Sequence, residues 1–174
     1  LQLPDLPAGA VTLNEADSKS LVAAAQVPVT RDRLLPLNPG ETVAGLRYPV
    51  ALKIVSPDIT HKTDIGAVQL GIAGLGGVYT EILHDVAYRI APFGLAEAYA
   101  MLEELKGRAL LAGARDLPPR DVDALAQALV QVAVLAWTLR GRMQELDINP
   151  LLVRPHGQGV IAADALVVLR AENG

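Results

Sequence analysis

The sequence predicts a mixed α+β or α/β module, and three observations predict it. Strand-like apolar runs and helix-period segments share one chain, rather than one type filling it. Two segments, around residues 95–106 and 119–139, carry the apolar spacing of amphipathic or buried helices. The C-terminal part reads as two strands around the short turn Pro155-His156-Gly157-Gln158. At 174 residues and 51% hydrophobic against 20% charged, the chain can bury a sizeable core, which excludes disorder as its main state.

Taken in order, Pro4, Pro7 and Gly9 mark a linker-like start after Leu1. Asn14 is placed to cap a helix from about Glu15 to Ala25, with Asp17 at the position where a capping box carries Glu or Gln. Pro28 is expected to end that helix, and Val29 to Leu35 reads as a short strand before the turn Pro36 to Gly40. Tyr48 to Val55 is nearly all apolar, the pattern of a strand covered on both faces, with Lys53 its one charge. Ser56 to Gly66 reads as a loop and Ala67 to Ile72 as a strand. After the glycine loop Gly74 to Gly77 come two strand-like runs, Val78 to Leu83 and Val86 to Ile90, with a hairpin turn expected at Ile82–Asp85. Leu95 to Lys106 is an amphipathic helix expected to stop at Gly107. Pro118 and Pro119 are suited to the first turn of a long helix from about Pro119 to Leu139. Met143 to Val153 and Val160 to Leu169 complete the chain as a strand pair.

Composition excludes several functions. The net charge is −4 and the chain has one Trp, four Tyr and one Phe, so it offers neither a basic stripe nor a stacking platform for nucleic acid. Cysteine is absent, which removes disulfides, thiolate nucleophiles and Cys-ligated zinc, and fits a reducing, cytoplasmic setting. The uncharged run Ala124 to Leu139 is shorter than the ~20 apolar residues that span a bilayer, so it reads as a buried helix. No signal-peptide pattern opens the sequence, and no membrane association is expected.

Four stretches could carry chemistry. If Arg154 faces Gly159 across the C-terminal turn, Asn149 falls opposite Asp164, with both side chains on one face. An amide oxygen beside a carboxylate suits a hard cation such as Mg²⁺, while the competing reading is a turn dipeptide Asn149-Pro150 and a solvated Asp164. Lys53, in an apolar strand, must meet an anion or reach solvent; phosphate and a neighbouring carboxylate are both open partners. His61-Lys62-Thr63-Asp64 followed by Gly66 is a run able to hold phosphate or to let the histidine carry one, with a plain solvated loop as the alternative. The Gly74-Leu75-Gly76-Gly77 loop is by itself a weak signal, since such runs are usually turns. Glu81, Asp85 and Arg89 recur at four-residue spacing, but an intervening turn leaves them no assigned common face.

Together, YPVALKIVSPDITHKTDIGAVQLGI, GLGGVYTEILHDVAYRIAP and ELDINPLLVRPHGQGVIAADALVVL resemble the ATP-grasp module of NDP-forming acyl-CoA synthetases, relatives of the succinyl-CoA synthetase β subunit. The same module occurs in acyl-CoA synthetase-like protein acetyltransferases. The resemblance runs from about Thr12 to Leu169 in the family's order. It implies an ATP-grasp fold, with a linker at 1–11, a first lobe at 12–73, the rest of the core with a metal-binding hairpin at 74–170, and a tail at 171–174. By similarity, Asn149 and Asp164 match the Mg²⁺ ligands, and Lys53 matches a lysine on the nucleotide phosphates. His61 matches a histidine that relays the phosphoryl group in ADP-forming members. Lys62 and the loop containing Gly76 and Gly77 fall in matching nucleotide-binding motifs.

The implied cofactors are ATP or ADP with Mg²⁺, and CoA is expected on a partner CoA-ligase domain, upstream in the same chain or in a separate α subunit. A homo- or hetero-oligomer is compatible with the apolar helices.

The sequence departs from the family pattern in two places. Several tens of family residues, supplying much of the second lobe and the adenine contacts, have no counterpart at the join Gly71-Ile72-Ala73-Gly74. Of two accounts of that join, a polypeptide lacking the segment or a mobile clamp left out between Ala73 and Gly74, the second is the expectation. A core that kept its metal and phosphate residues while losing its base pocket would be odd, and clamp lobes move by function. Ala67 also stands where the family usually has a second glycine after Gly66. These departures motivate an alternative reading, a non-catalytic module sensing nucleotide or acyl-CoA for an acetyltransferase.

Overall fold

A computed structural model of the chain describes residues 1–31, 68–71, 85–113 and 118–171, with the backbone alone for 68–71. Strand β1 (Val11–Thr12) leads into helix α1 (Glu15–Ala24). Asn14 caps α1: its Oδ1 accepts the Asp17 N–H at 2.9 Å, and its Nδ2 donates to the Asp17 carboxylate at 2.8 Å. Asp17 thus completes the box by gripping the cap's side chain, where a Glu would reach the cap's backbone N–H. The helix stops before Pro28, because Gln26 turns into the left-handed region at φ 66° and the chain leaves the helical path there. Of the expected Val29–Leu35 strand, Val29 forms an isolated parallel bridge to Ala162, and the part beyond residue 31 lies outside the described residues.

Strand β2 (Val68–Gly71) pairs antiparallel with β3 (Val86–Arg89), Val68 facing Arg89 and Gly71 facing Val86. Both lie inside the strands expected from sequence. Helix α2 (Leu95–Glu104) ends two residues earlier than expected, and Gly107 does not stop it. Instead a 3₁₀ turn runs through that glycine, Lys106–Leu110, because the buried Asp85 carboxylate accepts the N–H groups of Lys106 (2.7 Å) and Gly107 (2.6 Å). Asp85 therefore caps this turn, and the rest of the hairpin turn expected at Ile82–Asp85 lies outside the described residues.

Helix α3 (Val122–Thr138) starts three residues after the expected Pro119. Pro118 and Pro119 do not form its first turn; the segment after them is docked against the C-terminal hairpin instead. The Asp121 N–H donates to the Arg154 carbonyl at 2.9 Å and the His156 N–H to the Pro119 carbonyl at 2.9 Å. Among the described residues no helix is long and apolar enough to cross a membrane.

The C-terminal strand pair is broken into two ladders. Strand β4 (Met143–Asp147) pairs with β7 (Leu166–Leu169), and β1 adds to the other side of β7. Strand β5 (Leu151–Val153) pairs with β6 (Val160–Ala162) in a separate two-stranded ladder. One register runs through both: Val153 faces Val160 and Leu151 faces Ala162, and past the break Asp147 faces Leu166 and Leu146 faces Val167.

Two apolar clusters hold this frame. One joins α2 and α3 to the β5–β6 ladder through Met101, Leu102, Leu125, Leu129, Val160 and Ala162. The other joins α1 to the C-terminal end of α3 and to β7 through Leu21, Leu135, Val167 and Leu169, all essentially fully buried. Helix α3 therefore contributes to both clusters and ties the hairpin to the rest of the described chain.

Candidate functional site

The break in the C-terminal hairpin is where the sequence places its cation ligands. Pro150 has no N–H, so the ladder loses a donor there. The pairing still continues one step beyond β5–β6, with the Ala163 N–H donating to the Pro150 carbonyl at 3.0 Å. Continuing that register sets Asn149 opposite Asp164. Asn149 is exposed, Asp164 half-buried, and Ala165 next to it is buried on the opposite face. The two residues singled out from sequence thus both lie at the break between the ladders, beside the cis Asn149–Pro150 peptide.

Asp147 joins them. It ends β4 two residues before Asn149, and both are exposed while Leu146 and Ile148 pack on the core. Desolvation by the surrounding chain, and after it the Asp164 carboxylate, push the Asp147 carboxyl above the ordinary carboxylate range. Sequence analysis did not single out Asp147, although its spacing from Asn149 in Glu145-Leu146-Asp147-Ile148-Asn149-Pro150 carried the signal.

The donor set fits a hard divalent cation. It is an amide oxygen and carboxylate oxygens, the ligands Mg²⁺ prefers. Part of what raises the Asp147 carboxyl, after desolvation, is the neighbouring Asp164 carboxylate, a repulsion that a cation between them would relieve. No three His, Cys, Asp or Glu side chains converge among the described residues; Mg²⁺ commonly takes only one or two protein carboxylates and fills its shell with water and phosphate.

The turn at the opposite end of this hairpin is held by Asp121. Its Oδ1 caps α3 by accepting the Ala124 N–H at 3.2 Å, and its Oδ2 accepts the Gly159 N–H at 2.7 Å. These backbone donors, Gly159 first, hold its carboxyl below the ordinary value of 3.8, with a further contribution from His156. Gly159 has φ 76°, a conformation that favours glycine, and it closes the turn between β5 and β6.

Arg89 is engaged elsewhere. Its guanidinium pairs with Glu97 at 2.9 Å and with Glu104, fastening β3 to α2, and both carboxylates raise its already high pKa. Lys53, His61, Lys62, Gly76 and Gly77 lie outside the described residues, as do Ala67 and Glu81.

A sequence profile of the ATP-grasp domain matches residues 6–74 and 72–169, and the chain belongs to that family. The particular relatives narrow the setting. The chain is 27% identical to the β subunit of acetate–CoA ligase [ADP-forming] II from Pyrococcus furiosus, covering 95% of this chain and 94% of that one. It is 30% identical to acetate–CoA ligase [ADP-forming] I from Archaeoglobus fulgidus over 66% of this chain, but spans only 24% of that longer protein.

In structure it resembles the dinucleotide forming acetyl-coenzyme A synthetase 1 of Ca. Korarchaeum cryptofilum, with TM-score 0.73, 26% identity and 92% and 93% of the two chains covered. A crystal structure of that enzyme with coenzyme A and Mg-AMPPCP has its phosphohistidine segment pointing towards the nucleotide site. The two profile matches meet at residues 72–74, the join noted in the sequence. The Pyrococcus alignment runs over 226 residues against 174 here, so that relative carries residues for which this sequence has none.

Proposed function

We propose that Asn149 and Asp164, with Asp147 beside them, hold Mg²⁺ on the nucleotide phosphates in an ATP-grasp module that moves a phosphoryl group between nucleotide and histidine. The chain is the nucleotide-side module of an NDP-forming acid–CoA ligase, the class to which its relatives belong. The observation that carries the residue assignment is the hairpin register, which sets an amide and a carboxylate opposite each other at the break between two ladders.

In this reading the cation, when bound, screens polyphosphate charge so that an oxygen or nitrogen nucleophile can approach phosphorus. The chain's own residues do the rest. Asn149 presents a neutral oxygen and Asp164 an anionic one, both on a backbone held by paired strands. Lys53 neutralises the nucleotide phosphates, assisted by Lys62 and the Gly76–Gly77 backbone. His61 accepts the phosphoryl group in line or relays it. The phosphoryl passes from histidine to a carboxylate oxygen of the acid to form an acyl phosphate, whose carbonyl the CoA thiol attacks to give the thioester and inorganic phosphate; the reverse sequence consumes acyl-CoA and phosphate and makes nucleoside triphosphate. CoA and the acid sit on a CoA-ligase partner, which the relatives carry either fused in the longer chain or as a separate subunit. The sensing alternative finds no support among the relatives, which are ligases.

The test is to combine the chain with its CoA-ligase partner and follow NDP release from acid, CoA and Mg-nucleotide. Acid-labile phosphohistidine is measured in parallel. Loss of both signals in Asp164→Ala, and loss of phosphohistidine in His61→Asn, is the expected result. Full turnover by Asp164→Ala overturns the assignment.

A further inference from the structure

We propose that Lys19 and Thr30 form a side-chain relay that positions the peptide carrying Asp164, making them positioning residues for the cation corner. The inference rests on the Mg²⁺ reading of Asn149 and Asp164 given above.

Lys19 is the unusual residue of α1. It is 4% exposed, and burying an ammonium is costly unless its donors are used. Glu15, one turn earlier, pairs with it at 2.7 Å. A helix-surface pair of that kind is satisfied in water and does not require burial. The ammonium also reaches away from the helix, donating to Thr30 Oγ1 at 2.9 Å.

That contact sets the direction of the next bond. With a lone pair occupied by an ammonium N–H, the threonine hydroxyl has its proton to give, and it donates to the Ala163 carbonyl at 3.3 Å. The Ala163 carbonyl belongs to the peptide that leads directly into Asp164.

The location explains why a relay is needed. Residues 163–165 fall between β6 and β7, where neither ladder extends fully. The Ala163 N–H is held by the Pro150 carbonyl, on the Asn149 side, at 3.0 Å. The neighbouring Ala162 N–H donates to the Pro28 carbonyl at 2.7 Å, and its carbonyl accepts the Thr30 N–H at 2.9 Å. The Thr30 hydroxyl therefore completes a grip on both ends of Ala163, and Lys19 orients that hydroxyl. A charge-assisted chain of this kind gives the Asp164 backbone one preferred placement relative to Asn149.

The experiment is a Mn²⁺ titration of the full chain with ADP, read by electron paramagnetic resonance. Thermal melting without metal is measured alongside. Thr30→Val keeps the shape and removes the hydroxyl; Thr30→Ser keeps the hydroxyl; Lys19→Met removes the ammonium. Expected is about ten-fold weaker Mn²⁺ binding in Thr30→Val and Lys19→Met, near wild-type binding in Thr30→Ser, and loss of binding in Asp164→Asn.

If Thr30→Val does not fold, Lys19→Met against wild type decides the same point. Mn²⁺ affinity within two-fold of wild type in the folded relay variants, with binding lost in Asp164→Asn, overturns the relay alone. Wild-type affinity in Asp164→Asn, or no Mn²⁺ binding by the wild-type chain, overturns the metal reading and the relay with it.

Discussion

Asp121 and Gly159 are joined by a 2.7 Å hydrogen bond from the glycine N–H to the aspartate Oδ2, while the other carboxylate oxygen caps helix α3. One side chain thus ends a helix and fixes the turn of the hairpin whose far end carries Asn149 and Asp164. Asp121 thereby ties the hairpin turn to the start of α3.

One pH-dependent contribution to stability follows from this pairing. The folded Asp121 pKa lies below its ordinary 3.8, so its contribution is fully present above that value. It is lost as the pH falls through the folded pKa. Melting temperatures of wild type and Asp121→Asn across pH 2 to 7 are expected to differ most near neutrality and to converge at the acid end. A constant difference at every pH would show that the charge is not involved.

Asp164→Ala is expected to lower NDP-forming turnover by at least about 100-fold, with the melting temperature little changed. Asn149→Ala acts in the same direction. Half-exposed polar side chains at a ladder break have little core to lose. Chelation of divalent cations by EDTA should silence the wild type and be reversed by added Mg²⁺. Turnover that survives chelation is the contrary result.

Arg89→Leu is expected to leave nucleotide affinity unchanged, because its guanidinium is spent on Glu97 and Glu104 at the junction of β3 and α2. A small drop in melting temperature is the predicted consequence, since ion pairs with exposed partners contribute little. A loss of nucleotide affinity, measured by calorimetry with ADP, would place Arg89 in the site.

Leu135→Ala is expected to destabilise by about 2–5 kcal/mol in urea unfolding. Leu135 is fully buried where α3 meets α1 and β7, and truncation leaves a cavity there. By contrast Trp137, exposed on the same helix, is expected to tolerate truncation to Ala within about 1 kcal/mol.

Much of the local structure was legible in the sequence. Asn14 and Asp17 announced the start of α1, strand-like runs announced β2 and β3, and the turn at residues 155–158 set the register in which Asn149 falls opposite Asp164. These depend on caps, side-chain period and turn length, which a few neighbouring residues encode. Lys53, His61, Lys62, Gly76 and Gly77 entered through resemblance to a family and lie outside the described residues.

The tertiary structure decided what no local pattern encodes. Pro118 and Pro119 promised a helix start, but docking of residues 119–121 on the hairpin moved the cap to Asp121. Gly107 promised a helix stop, but Asp85 drew its N–H into a 3₁₀ turn. The contacts that hold the hairpin to the rest of the fold, Asp121 to Gly159 and Thr30 to Ala163, join residues far apart in the chain. Propensity and periodicity act over one or two turns of backbone, whereas such bonds form only after burial has brought distant segments together.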